Sequence, residues 1–571
     1  MDNAMNIAAR EMGELIELAN IKQPIIDGIN AQLAEIANRT ISLDDPKYGV
    51  KGDGTDETTK IRQAFADAMT SGVAIDLGKA TTKYTITQSI VIDKPLTIYA
   101  NGANSIFEQL SWCVPCIEIR NPNVTIIGAF HFECNQPRVF VDSTVFNAAP
   151  NNALVKAENP VFYTGAGAAV YCMHDFDHMY IDKVYAKGFI GGIYAAGRNT
   201  DLTRDIHINC LTIENVDFGF LGVCFQDIYI GEINGKNILR SQGVDVHALY
   251  FTQSSIRSKG GYIGSVTCDG IEDLESHVVS IKTFDDIHIG RIFGQNVGTF
   301  FTTISSSGYV GSIEGTAKAG DNYFGGVNIQ DNCDYVINSI DISSNAAYQS
   351  PTVVGRAVTV VGGANAVINK ARIKMTSASP SEAFMLSGSG RIIINNPIIE
   401  YVNPQMSAEL MYAIRILFSG GTGLKGIYVN DPELIGGSYL LRKAAGGAVY
   451  ELVFDPNKVR GGIVESTVLC EDAVFNNTFT SFSKTAFNAT TLDTQPSIGS
   501  RNVLKTSRGA ANTILKFRAG TNGQEFILIQ NDTVTSIAHN TDIILKGGAT
   551  LSPTSWKLLR FVWFDGKAYE I

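Results

Sequence analysis

Two short segments carry the residues best able to break a covalent bond: Val244-Asp245-Val246-His247-Ala248 and Leu274-Glu275-Ser276-His277-Val278, offset by 30 residues. Both read as strands with an alternating pattern. With Val244, Val246 and Ala248 inward, Asp245 and His247 face outward, and by the same alternation so do Glu275 and His277. If the two strands are vertical neighbours, an acid lies on an acid and an imidazole on an imidazole. Stacked strands separate such groups by about 5 Å, the range of a retaining glycosidase pair and short of the wider inverting separation. Two carboxylates that close cannot both ionise readily, so one would rise in pKa and serve as general acid while the other stays charged. Glu272 and Asp273, with Asp269, widen the choice, and an inverting pair such as Glu272 with Asp245 stays open. His247 precedes Ile263 by 16 residues and His277 precedes Ile289 by 12, so the register requires a four-residue insertion near 254–259. The bland alternative is a set of solvated charges on an exposed face.

β-Elimination on a uronic acid needs a base near the sugar C5 proton and cations beside the carboxylate. His247, His277, Tyr250 and Arg257 are the residues that would contact substrate for this purpose. Other clusters count against themselves. Cys113-x2-Cys116 with His131-x2-Cys134 has a zinc-like spacing but lies in strand-like sequence, where buried thiols are common. Tyr171–His178 has the look of a metal or acid–base cluster, yet His178 falls in a column that recurs with Asp205, Asp227, Asp286 and Asp334. A residue that recurs every turn serves the turn, here as a side-chain cap on backbone N–H groups. No metal and no cofactor is expected.

What must position these groups is a coil of short strands. Between Asp182 and Asn430 a Gly, Asn or Asp follows an apolar-x-apolar pair again and again, at Asp182, Asn209, Gly231, Gly264, Gly290, Gly311, Asn338, Asn369, Asn395 and Asn430. The steps run from 21 to 35 residues. These residue types accept a left-handed backbone, which suggests a stack of like corners. Period-two strands with a fixed corner describe an all-β fold, a right-handed parallel β-helix. Its earliest strands are Leu96-Thr97-Ile98 and Val124–Gly128, matched through Ile98 and Ile127; residues 135–165 read as an insertion. After about residue 470 the signals change to turns at Asn522-Gly523 and Asp565-Gly566, which predict an antiparallel β-sandwich over 471–571. Trp556, Trp563 and Tyr569 there are core residues by the ordinary reading, sugar-stacking ones by the other.

Composition narrows the function classes. The chain has 571 residues, 45% of them hydrophobic, and a net charge of -11, so no overall excess of base exists to neutralise nucleic-acid phosphates. Nine cysteines scattered in strand-like sequence suggest reduced thiols in a protein made in a cytoplasm. No run approaches the length of a membrane span and no signal peptide opens the sequence. Residues 1–45 read as helical, with Ile26, Ile29, Leu33 and Ile36 at heptad spacing compatible with either a trimer or a helix lying on the body. Residues 46–72 hold a turn and an amphipathic helix with Ile61, Ala64, Phe65, Ala68 and Met69 on one face, capped by Thr55 or Asp56. That helix would cover the unpaired first strand edge of a β-helix spanning 73–470.

The stretch YGVKGDGTDETTKIRQAF, Tyr48 to Phe65, resembles the opening of the pectate-lyase-like β-helices of bacteriophage tailspikes and capsular polysaccharide depolymerases. The resemblance implies a homotrimeric virion protein, attached through its N-terminus to the phage tail, baseplate or another tail fibre. It implies binding, and usually cleavage, of a bacterial capsule or O-antigen, with the C-terminal lobe serving trimerisation or sugar binding. A hydrolytic depolymerase is the reading adopted, with a polysaccharide lyase and a non-catalytic receptor-binding fibre as alternatives. A secreted pectinase-type enzyme fits the N-terminal sequence poorly.

Overall fold

The computed structural model describes residue 28, 39–110, 114–135, 167–173, 176–196, 202–239, 246–252, 256–271, 276–318, 324–345, 355–376, 381–387, 390–402, 412–417, 426–435, 439–443, 452–454, 463–464, 488–489, 495, 503–506, 511–518, 522–530, 533–552 and 557–571. The chain is an all-β, right-handed parallel β-helix, and it divides into two compact units, the first drawn from residues 1–212 and the second mainly from 213–571.

In the first unit the strands Leu96–Gln109, Val124–Glu133 and Met179–Lys187 stack in parallel, and Ile98, Ile126 and Ile181 lie directly over one another. Ile98 thus pairs with Ile126, not with Ile127, whose side chain is exposed. A second sheet in this unit stacks Ile90–Ile92, Ile117–Ile119, Ala168–Met173 and Gly191–Ala196. The helix Thr58–Ser71 buries Ile61, Ala64, Phe65 and Ala68 against Thr40–Ser42, Ala74–Asp76 and Ile90–Ile92, so it covers the first strands. Its first N–H, from Thr58, donates to the Asp56 carboxylate, while the Glu57 carboxylate turns back to accept the N–H groups of Lys51 and Gly52. Thr40–Ser42, inside the segment expected to be helical, is a strand; the heptad residues Ile26 to Ile36 lie outside the described residues.

The second unit repeats the coil. On its first sheet Ile230, Ile263, Ile289, Val310, Ile337, Ile368, Ile394 and Val429 form one unbroken column, each fully buried. Burial of one such side chain contributes roughly 1.5–3 kcal/mol relative to exposure, so a slip of register that moved the column outward would be very costly.

The corner glycines are there for a reason other than the expected one. At Gly264, Gly290 and Gly311 the strand pairing skips one residue, and a Cβ would collide with the carbonyl oxygen of the rung below, at Gly231, Gly264 and Gly290 respectively. None of these three carries a positive φ. Close approach of successive backbones selects Gly there. The left-handed backbone sits in the other column, at His178 (φ 57°), Asp205 (54°), Asp227 (60°) and Asp286 (58°), with Gly260 (65°) serving the intervening rung. Asp334 is in that register through Ser307 but has an ordinary φ. These acids therefore serve the turn, chiefly by accepting its backbone conformation rather than by capping it. Asn369, Asn395 and Asn430 add a ladder of side-chain amides from rung to rung, 3.5 and 2.7 Å apart.

The C-terminal strands form a mixed six-stranded sheet and a two-stranded one around Ile514, Phe517, Phe526, Leu528, Ile537, Leu559, Phe561 and Trp563. Asp565 (φ 49°) and Gly566 (72°) make the expected two-residue hairpin turn. Asn522-Gly523 turns without joining paired neighbours, because Glu525–Gln530 pairs with Lys557–Phe564, and Val503–Thr506 adds to it in parallel. Trp563 is core; Trp556 lies outside the described residues. The close-approach account expects Gly264→Ala to lose about 1–3 kcal/mol of stability. Gly547→Ala, where a Cβ meets nothing within 4 Å, should change it by less than ~0.5 kcal/mol, both read from denaturant midpoints.

Candidate functional site

The second sheet of the second unit stacks Phe218–Val223, His247–Phe251, His277–Lys282, Thr299–Ile304, Phe324–Gln330, Gly355–Val360, Ser381–Ser387 and Tyr412–Leu417 in parallel. His247 pairs directly with His277, the offset of 30 read from the sequence. Val246 and Ala248 are buried, as that reading requires. The two imidazole rings stack, with centroids 5.1 Å apart and planes 15° from parallel. The rung enters this pair through firm contacts: the His247 N–H donates to Asp217 O, that of His277 to Val246 O, and that of Val246 to the Ser276 hydroxyl.

His247 is only 4% exposed, closed in by Phe218 (5.9 Å), Tyr250 (4.4 Å) and His277. Lys282 Nζ donates to the Tyr250 hydroxyl at 3.1 Å and lies 5.2 Å above its ring. Burial, then the His277 ring and the Lys282 ammonium, push the His247 pKa well below the usual histidine value, so it is neutral at pH 7. Its Nδ1 is buried without a hydrogen-bond partner in the chain. A neutral imidazole beside a tyrosine and a lysine can accept a proton from an adjacent carbon acid or orient a sugar hydroxyl.

Asp245, Glu272, Asp273 and Glu275, the residues read as acids and nucleophiles, lie outside the described residues. His247, His277 and Tyr250 come together as expected. Arg257 does not join them: it makes a two-point ion pair with Asp285 (2.8 and 2.5 Å) and donates to Ser305 O, tying turns of successive rungs. Its guanidinium is consumed by the fold. Cys116 and Cys134 are buried, with burial raising the Cys116 pKa, and His131 faces Glu133 at 3.4 Å; Cys113 is outside the described residues. Among the described residues no three potential metal ligands cluster. His178 meets Asp205 at 2.8 Å in the turn column, while His174 and Asp175 are not described.

One charged group went unread. Glu382, 1% exposed, accepts from Arg415 Nη1 at 2.8 Å and faces Arg356 Nε at 3.6 Å. Burial raises its pKa despite both guanidiniums. Arg356 and Glu382 are register partners. Three positions along the strands, Tyr250, Ser280, Thr302, Asn328, Thr359, Met385 and Arg415 follow rung by rung. Thr302 Oγ1, Asn328 Oδ1 and Thr359 Oγ1 in that column are buried with no hydrogen-bond partner in the chain. A buried unmatched polar atom costs about 1–3 kcal/mol, so three in register are unusual for a purely structural face.

The outer face of the first sheet offers a contrast. Tyr229, Tyr262, His288 and Tyr309 stack in register, and Tyr262 is 48% exposed. Tyr229 and Tyr262 lie 5.3 Å apart and 10° from parallel, so each covers a ring face of the other.

No protein-family model matches the chain, and no curated protein matches it. Among solved structures it is similar at 12% identity to the Agl-KA catalytic domain, over 71% of this chain and 68% of that one (TM-score 0.36). It is likewise similar at 12% identity to an N-terminal fragment of bacteriophage Phi29 gene product 12, over 86% and 87% (0.39). The catalytic unit of a GH87 alpha-1,3-glucanase from Streptomyces thermodiastaticus is again 12% identical, over 77% and 69% (0.29). At these scores the likeness extends to no residue of the site.

The depressed His247 pKa has a sign. The unfolded chain takes up a proton near pH 6.5 that the folded chain refuses, so stability is full above that pH and falls as pH drops toward the folded value. Chemical denaturation between pH 7.5 and 5 should show a shallower loss for His247→Gln than for the wild type; equal slopes would contradict the buried neutral imidazole.

Proposed function

We propose that the chain is a bacteriophage tailspike depolymerase, a homotrimer in the virion that binds a bacterial capsule or O-antigen and hydrolyses its glycosidic bonds. The observation that carries this reading is the polar face of the second sheet, where His247 stacks on His277 beside Tyr250 and Lys282, and where Tyr250, Thr302, Asn328 and Thr359 share one register column. Such a face suits a repeating polymer of hydroxyl groups better than a compact small molecule. The GDGTDETT segment and its helix, seated over the first strands, support the tailspike resemblance.

Asp245 and Glu275 are the proposed catalytic pair, each two residues before an imidazole that stacks on its counterpart. Glu272 and Asp273 remain alternative partners. One carboxyl would protonate the leaving oxygen while the other attacks the anomeric carbon or activates water. His247 and His277 would orient the sugar between them.

The neutral His247 beside Tyr250 and Lys282 favours a second reading, β-elimination on a uronic acid, with imidazole or phenolate as base and the ammonium beside the carboxylate. Product chemistry separates the two. Hydrolysis releases reducing ends without ultraviolet absorbance, whereas elimination creates an absorbing unsaturated sugar. Asp245→Ala and Glu275→Ala, tested separately on purified host polysaccharide, should each lower cleavage by roughly 10²–10⁴-fold with binding retained. Unchanged turnover in both variants would remove the pair from the mechanism, and no cleavage by the wild type would leave a binding fibre.

A further inference from the structure

The outer face of the first sheet in the second unit holds a column that is both apolar and open. The ladder that begins with Tyr229, Tyr262, His288 and Tyr309 continues in register through three aliphatic residues to Tyr428. Its eight rungs span about 34 Å at ~4.8 Å per rung. None of the eight side chains is buried. The His288 side chain is 55% exposed, Tyr262 48%, and Tyr309 and Val336 36% each. These four occupy successive rungs, so the exposure is contiguous, and contiguous apolar surface marks a place where something docks.

Charge says what docks there. The column holds no acid, lysine or arginine, and neither does the corner column beside it, which is Gly or Asn on every rung from Gly231 to Asn430. The next columns outward are charged, with Asp227, Asp286, Asp334 and Arg391 on one flank and Glu232 and Arg291 on the other. When copies of a chain pack around an axis parallel to their coils, each rung meets the same rung of its neighbours, and a residue at the axis meets itself. A charge there would face its own like. The neutral band is therefore the strip of this sheet that can lie on such an axis. His288, its one member able to become cationic, has Asp286 at 3.2 Å within its own chain. The length fits as well, because an interface of standard size, ~800 Å² per partner, is roughly 30 Å across. An unrelated protein could be matched by charge as readily as by apolar contact and would not require neutrality in rung after rung. A pyranose packs on an open ring face, and Tyr229 and Tyr262 already cover one face of each other. Tyrosine, with a large apolar body and a polar tip, is the residue type enriched between protein surfaces.

Resting on the homotrimer of the reading above, we propose that the column from Tyr229 to Tyr428 is the surface on which copies of this chain meet, parallel and with equal rungs at equal height.

The test uses the full-length protein, its mass in solution measured by light scattering. Tyr262→Cys and Ile393→Cys, five rungs apart, are each treated with a short bismaleimide, beside the wild type and Thr316→Cys, an exposed position on another column. Tyr262→Cys and Ile393→Cys are each expected to link to their own copy and give a dimer band under denaturing conditions, and the two controls to give none. Tyr262→Glu combined with Tyr309→Glu, which sets like charges on the axis, should raise the concentration of half-dissociation at least about tenfold. If that variant fails to fold, the cysteines decide alone. An oligomer that links at neither position, or at one alone as an antiparallel pair would, overturns the assignment of this face and leaves self-association standing. Unchanged association of a folded glutamate variant overturns it too. A monomer would remove the homotrimer together with the interface, and loss of polysaccharide binding by the glutamate variant of that monomer would make the ladder a sugar site instead.

Discussion

Vertical register is the constraint from which the rest follows. Ile230, Ile263, Ile289 and their successors can all be buried only if each rung places the same position over the one below. Once that column is fixed, like residues meet like residues at several other positions. Corner glycines meet the carbonyls beneath them, asparagine amides ladder, and His247 is set on His277. A pair of identical titratable rings at 5.1 Å is thus a product of the core, not of any local motif. The same geometry sets outward side chains in rows with a regular vertical spacing, which suits recognition of a repeating polymer.

The two sheets of the second unit put that property to different uses. On the first, Tyr229 and Tyr262 cover each other's ring faces, and Arg291 pairs with Glu314 one rung away. On the second, polar atoms are buried without a partner in the chain, and Arg356 and Arg415 both face the buried Glu382. Hydrogen-bonding capacity left unused within the chain has a folding cost, and a face that bears several such groups in register stores the ability to recognise something else. The depressed pKa of His247 belongs to the same economy of space: burial under Phe218 and Tyr250 keeps the ring neutral beside two other potential cations.

Much of this was legible in the residues. Apolar-x-apolar pairs before a recurring Gly or Asn gave the coil and its spacing, because core burial writes itself into alternation. The register of His247 on His277 was readable for the same reason, since Val246, Ala248 and Val278 fix which way their neighbours point. The physical cause of the corner is not legible: glycine spacing alone does not distinguish a left-handed backbone from a close backbone approach, and the positive φ lies instead at Asp205, Asp227 and Asp286. Arg257 is held by Asp285, a partner one rung away and invisible to local pattern. Glu382 was missed because it sits in Ser-Glu-Ala-Phe-Met-Leu-Ser, where every residue but the last is buried and no alternation marks a face. Its arginines come from strands 26 and 33 residues distant.

The most direct test of the account is a crystal structure of the full-length protein with a bound oligosaccharide from the host polysaccharide. Sugar rings are expected along the outer face of the second sheet, within hydrogen-bond reach of His277 and Tyr250. Sugar seated instead on the Tyr229–Tyr262–His288–Tyr309 ladder of the first sheet would contradict it.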